Sequence, residues 1–256
     1  GAKMASTPTP NNSLEDGLVG HWTFDGPDIR WQDTGSEIKD RSVNGYHGEI
    51  NGLTTSDAVM GKLGQALIFD NSTTLIDFGD TELSNDAITI SAWAKRGNNY
   101  GPIISKWGGS NRSFIFQLDA GGVRLSVSDD GLSGAGSSFA LSSGNTPLVD
   151  EWVHYVASFD GAGNIVLYEN GTEVNTGTDV NVTGIFDGAA TLYIGSIQTG
   201  GDIFDGSLDD VRVYNRALSS NEVAQLYRMG GGVTLTPCGA KTVTDADGNE
   251  YGTVQI

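Results

Sequence analysis

Between Gly17 and about Asp210 the chain carries almost no helical periodicity. Short β-branched and aromatic runs recur instead, separated by Gly, Asn and Asp turns. They read GLVGHWTF, ALIFD, TLIDFG, AITISAWAKR, PIISKW, SFIFQLD, VRLSVSD, WVHYVASFD, NIVLYEN, TLYIGS and SLDDVRVYN. So many short strands predict an all-β fold, a two-sheet antiparallel β-sandwich rather than a barrel of a few long strands. Asn170-Gly171 closes NIVLYEN against GTEV and calls for a type I′ hairpin turn. One short C-terminal helix is expected in SSNEVAQLYRMG. There Ser219 and Glu222 fit a capping box, Val223, Leu226 and Tyr227 form the apolar stripe, and Gly230 can end it. Its expected place is the edge or end of the sandwich.

Alternation along SLDDVRVY puts Asp209 with Val211 and Val213 on one face, and Asp210 with Arg212 and Tyr214 on the other. If the valine face is the buried one, Asp209 leads a core-facing row, which is costly for a carboxylate without a partner.

The chain divides into an opening stretch, 1–16, that reads as an expression scar and linker, a main domain over 17–229, and a change of character after Gly230. Residues 230–256 form a glycine hinge and a polar segment with two weak strand patterns, too short for a core of their own. Cys238 is the single cysteine, so a disulfide is expected only with a cysteine outside this chain.

With 32 acidic against 14 basic side chains and a net charge of −18, the chain would repel nucleic acid and anionic membrane surfaces. Cations, neutral glycans and neutral protein surfaces remain compatible, although much of the charge serves solubility. No run of apolar residues is long enough to span a membrane.

Catalytic signatures are missing. No glutamate lies in an E-x-D-x-E run of the kind that places two carboxyls along one strand of a β-sandwich glycanase. Glu169 and Glu173 bracket a solvated hairpin tip, and His154 reads as a hydrogen-bonded core histidine. No G-x-S-x-G elbow, Walker loop or H-E-x-x-H helix occurs.

Oxygen ligands are better represented. Asp25 ends WTFDG, the loop DRSVNGYHG carries Asp40 and Asn44, and His47 can add its backbone oxygen. With Asp209 these are the hard donors that Ca²⁺ takes, although spacing alone does not bring them together and Asp25 and Asp40 also read as turn caps. TVTDADGNEYG starts like a calcium loop and fails at Glu250 and Ile256. For ligand recognition, KRGNNYGPIISKWGGSNR offers Asn98, Asn99, Tyr100, Trp107, Asn111 and Arg112, an aromatic and amide set suited to sugars, unless Trp107 packs in the core.

In order and spacing these segments resemble the LamG-like jelly-roll domain of the concanavalin A-like lectin/glucanase superfamily. The resemblance runs over about 17–229, most specifically through WVHYVASFDG…VLYENG and GSLDDVRVYNRALSSNEV. It implies a jelly roll whose first strand pairs with its last sandwich strand, which would set Asp25 beside Asp209. It also implies a structural Ca²⁺ there, with Asp40, Asn44 and His47 of the D-x-S-x-N-G loop contributing and valine standing where glycine is common. Asp210 is then left to solvent or to Arg212. The expected role is a non-catalytic recognition or adhesion module of a secreted or cell-surface bacterial protein. It would be a monomeric unit of a multi-domain chain, binding a glycan or a cell-surface protein. A catalytic β-sandwich and a ligand-free spacer are the alternatives. The tail CGAKTVTDADGNEYGTVQI resembles the entry to a FISUMP domain.

Overall fold

The computed structural model describes residues 14–32, 35–83, 86–109, 111–132, 138–197 and 201–231, and the backbone of 242–244 and 250–252. Strands β1 (Leu18–Trp22), β2 (Glu49–Asn51), β3 (Ala58–Met60), β4 (Gln65–Asp70) and β5 (Leu75–Asp77) come first. They are followed by β6 (Ile88–Arg96), β7 (Gly101–Gly108), β8 (Asn111–Asp119), β9 (Gly122–Gly131) and β10 (Ser138–Ser142). Next come β11 (Trp152–Phe159), β12 (Asn164–Glu169), β13 (Thr172–Thr178), β14 (Leu192–Ile194) and β15 (Asp205–Tyr214). Helix α1 (Ser220–Met229) and the antiparallel pair β16 (Thr242–Thr244) and β17 (Glu250–Gly252) complete the chain order. Cys238 and the calcium-loop-like 245–249 lie outside the described residues.

Each of the eleven apolar runs forms a strand, and they assemble into two antiparallel sheets. One runs β13-β12-β11-β6-β15-β4-β3, with β1 added on the free edge of β15; the other runs β10-β9-β8-β7-β14-β5-β2. This is the expected sandwich. Its core interleaves Leu67, Phe69, Ile90, Ala92, Val211 and Val213 of the first sheet with Ile104, Phe114, Phe116, Leu125 and Ile194 of the second. Full burial of each larger side chain contributes about 1.5–3 kcal/mol, which makes the interface between the sheets the main source of stability.

Local signals hold where they are strongest. Asn170 and Gly171 both take positive φ, 52° and 75°, as a type I′ turn requires. Ser219 caps α1 through the Glu222 amide while Glu222 returns to Ser219, and Arg216 grips the same carboxylate at 2.7 Å. The helix, however, covers a face rather than an edge. Its Val223 and Leu226 pack on Val156, Tyr168 and Tyr214, on the side of the first sheet away from the core. Gly230 ends α1 with φ of −78°, so it is not there for a left-handed turn. A Cβ at that position would lie 2.3 Å from the Trp93 ring, and close approach is what demands glycine.

Candidate functional site

A β-bulge decides where Asp209 points. Against β6, Asp209 lies opposite Trp93 and Arg212 opposite Ser91, so three residue steps of β15 match two of β6. Asp210 absorbs the extra residue with φ of 48°, a conformation that aspartate tolerates better than most residues. The core row is therefore Leu208, Val211 and Val213, and Asp209 faces the other way with Trp93. The expected grouping of Asp209 with the valines is wrong, because alternation flips at a bulge.

Asp209 is nonetheless fully buried. The turn between β3 and β4, Gly61-Lys62-Leu63-Gly64, closes over it, and the Lys62 and Leu63 amides donate to Oδ2 at 2.6 and 2.7 Å. The Lys62 ammonium sits 4.8 Å over the Trp93 ring. Asp25 holds the same turn from the other side, accepting the Gln65 amide on Oδ1 at 2.8 Å. The turn is built on glycine for that reason. A Cβ on Gly61 would meet Asp209 Oδ2 at 2.5 Å, and one on Gly64 would meet Asp25 Oδ1 at 2.0 Å. Gly64 also has φ of 72°. Gly64→Ala is expected to lower stability by about 2 kcal/mol in chemical denaturation, from backbone strain and displaced Asp25 together.

Asp209 Oδ1 has no hydrogen-bond partner although it is buried. Burial pushes its carboxyl up to about 7, against the pull of the Leu63 amide and helped by the charges of Asp210 and Asp25. An orphan oxygen on a buried carboxylate, with a second carboxylate on the same turn, suits either a proton or a cation. Among the described residues no three His, Cys, Asp or Glu side chains gather for a metal. A cation here would take Asp209 and Asp25 and complete its shell from backbone oxygens or water.

The Asp40 carboxylate is used otherwise, and the Asn44 and His47 side chains also bond locally. Asp40 Oδ1 accepts the His21 and Ser42 amides, and Oδ2 accepts the Ser42 hydroxyl and the Tyr46 amide, all within 2.9 Å. Four donors occupy the lone pairs that a cation would need. His47 Nδ1 accepts the Asp40 amide and the Asn44 side chain donates to the Val19 carbonyl. The structure thus gives the carboxylate and these side chains the work of shaping the loop and pinning it to β1. Val43 is 97 % exposed and fits the loop without conflict.

Beside Asp209 the same outer face holds a buried charge network, in which the expected Asp210–Arg212 pair is present and His21 joins it. Asp210 accepts Arg212 through Nε and Nη2 at 3.1–3.2 Å and lies 2.7 Å from His21 Nε2. It is neither solvated nor paired with Arg212 alone. Burial opposes its charge, but Arg212 and the His21 bond hold its carboxyl well below the usual range. His154 lies two residues along β11 from Trp152, bonded to Ser91 Oγ at 2.9 Å and packed on Trp93. Burial lowers it to about 3, so it is the neutral core histidine expected. Asp28 pairs with Arg41 and Thr23 at 2.6–2.7 Å; only its proximity to Asp25 in GPD hinted at it.

The expected ligand set is divided between the two ends of β7. Asn98 and Tyr100 precede the strand, organised by buried Arg96, which bonds the Gly97 and Asn98 carbonyls and lies 4.7 Å over the Tyr100 ring. Asn99 is tied to Asp205. Trp107, Asn111 and Arg112 sit at the β7–β8 hairpin, more than about 20 Å away along the strand. They cannot share one small ligand with Asn98 and Tyr100.

At the hairpin end the set gains members. Trp107 pairs across the hairpin with Arg112, whose guanidinium lies 5.7 Å from the indole centroid. A Cβ on Gly188 would touch Asn111 Cβ, which places the Asp187-Gly188 turn against the hairpin. Lys106, buried, bonds Asp80 Oδ1, Asp187 Oδ1 and the Thr81 carbonyl at 2.9–3.1 Å. One ammonium thus ties two loops, at 80–81 and at 187, to β7, and both carboxylates stay about half exposed, at 56 % and 53 %. The result is a half-buried indole, an amide, a guanidinium and two carboxylates on a rigid frame.

Residues 70–224 match the laminin G family described as the Concanavalin A-like lectin/glucanases superfamily. The chain is 26 % identical over 144 residues to Adhesion G-protein coupled receptor V1 of Danio rerio, a match covering 54 % of this chain and 2 % of that receptor. It is similar to domain 4 of AbnA, a GH43 extracellular arabinanase from Geobacillus stearothermophilus solved with arabinotriose. There identity is 22 % and the TM-score 0.61, covering 82 % of this chain and 98 % of that one. The binding domain of Paraclostridial Mosquitocidal Protein 1 aligns with TM-score 0.62 at 18 % identity, covering 84 % of this chain and 52 % of the other.

Proposed function

The chain belongs to the concanavalin A-like lectin/glucanases superfamily, and from that premise we propose that it is a non-catalytic recognition module of a secreted or cell-surface protein. It binds a carbohydrate, or a protein ligand, with the loop end around Trp107, and a calcium ion at Asp209 and Asp25 stabilises it. Ion binding would tie the end of β1 to β15 through the β3–β4 turn.

The observation that carries the binding assignment is the clamp of Lys106 on two loops at the strand end that carries Trp107. Sugars are held by an aromatic platform and by fixed acceptors and donors for their hydroxyls, and rigidity lowers the entropic cost of holding them. One similar solved structure is a binding domain by description, and another, domain 4 of an extracellular arabinanase, holds arabinotriose. No helix among the described residues is long and apolar enough to cross a membrane.

Glycan-array screening followed by calorimetry tests the reading. A captured neutral glycan should lose at least about tenfold in affinity on Trp107→Ala, the usual cost of removing a stacked aromatic anchor. Binding unchanged in that variant would move the site elsewhere. Release of products from a bound polysaccharide would replace recognition by catalysis, with Asp80 and Asp187 the first carboxylates to substitute.

A further inference from the structure

A cavity of ≈ 620 Å³ opens on the outer face of the first sheet, far in kind from the loop end. His21 of β1 and Arg212 of β15 lie opposite one another in the strand register and form its floor. Arg41, Ser42 and Val43 make one wall, and Gln225 and Met229 of α1 the other. The acids that neutralise the floor stand behind it: Asp210 and Asp28 are buried and do not line the space. Toward the cavity the surface is rich in donors, two guanidinium groups and the His21 ring, and Glu15 is the single carboxylate in the lining. Arg41 gives only its Nε to Asp28 and is about half exposed, so its two terminal nitrogens reach the opening. In a chain of net charge −18 this concentration of donors is out of keeping with the rest of the surface.

We propose that this cavity is a binding site for a carboxylate carried on a small, partly apolar frame, such as a sugar acid or the end of a peptide. The planar carboxylate matches the fork that Arg41 presents, and one negative charge suits a site that already contains Glu15. The volume takes a monosaccharide or a dipeptide. Val43 and Met229 cover the apolar side of the ligand, and Gln225 reads a hydroxyl or amide. This site is independent of the loop end around Trp107.

The test is an NMR titration of the full chain with glucuronate, with N-acetylalanine and with glucose, following the His21 ring and arginine Nε resonances. Either acid should shift these signals to saturation, and which acid binds more tightly identifies the source of the carboxylate. Glucose should leave them in place. Arg41→Ala should weaken binding about tenfold, with partial recovery in Arg41→Lys, which keeps charge but loses the fork. Gln225→Trp, on the exposed side of α1, should fill the cavity and abolish the shifts without touching the floor. Signals that ignore both acids, or that respond equally to glucose, overturn the proposal. So does acid binding that persists in Gln225→Trp.

Discussion

Arg212→Met is expected to destabilise the fold by about 3–5 kcal/mol, because it removes the guanidinium and leaves the Asp210 carboxylate buried with His21 alone. The side chains are 8 % and 7 % exposed, so water cannot replace the lost partner. Converting the pair, Asp210→Asn with Arg212→Met, should return most of that loss, since the costly species is the unpaired charge. Asparagine is the right replacement because position 210 has φ of 48°, which asparagine also tolerates. The pH dependence follows from the direction of the shift. In the native chain Asp210 is depressed, so its contribution is present above the ordinary carboxylate pKa and is lost as acid protonates it. In Arg212→Met the buried carboxyl prefers its proton, and the variant should gain stability as pH falls from 7 toward 5. Urea titrations at two pH values measure both effects. A loss below about 1 kcal/mol would mean that the network holds nothing.

The sheets were legible because alternation and turn chemistry act over a few residues, and Asn170-Gly171 and the Ser219–Glu222 box show how completely local signals can determine local structure. Strands β2, β3 and β10 (EIN, AVM and SFALS) carry too little apolar pattern to be seen, whereas β5 and β14, as short, lie within the longer runs TLIDFG and TLYIGS. The site was harder, for three separate reasons. Alternation assumes an unbroken ladder, and the bulge at Asp210 inverted the face of Asp209; the adjacent acids in SLDDVRV were the available warning. Asp40 looked like a ligand because a carboxylate that organises amides and one that holds a cation have the same sequence signature. Lys106 was invisible since its partners, Asp80, Thr81 and Asp187, come from loops that only the fold brings together.

Asp209 yields the most searching prediction, because a proton and a calcium ion compete for it. In chelator its carboxyl, pushed up to about 7 by burial, keeps its proton where an unfolded aspartate, near 3.9, has lost it. The raised value sets the sign. This contribution is complete below about pH 4, shrinks as pH rises, and is gone once pH passes through 7. At up to 1.36 kcal/mol per pH unit the loss amounts to about 4 kcal/mol between pH 4 and 8. Calcium binds the ionised form, so its effect should run the opposite way and be greatest at pH 8. At a hundredfold excess over Kd it would add about 2.7 kcal/mol, several degrees in Tm for a domain of this size. Asp209→Asn keeps an acceptor for the Lys62 and Leu63 amides but cannot ionise, so it should flatten the pH profile and remove the calcium response together. Equal melting in EDTA and in calcium at pH 8 would rule out the cation. A pH slope that survives in Asp209→Asn would assign it to some other group.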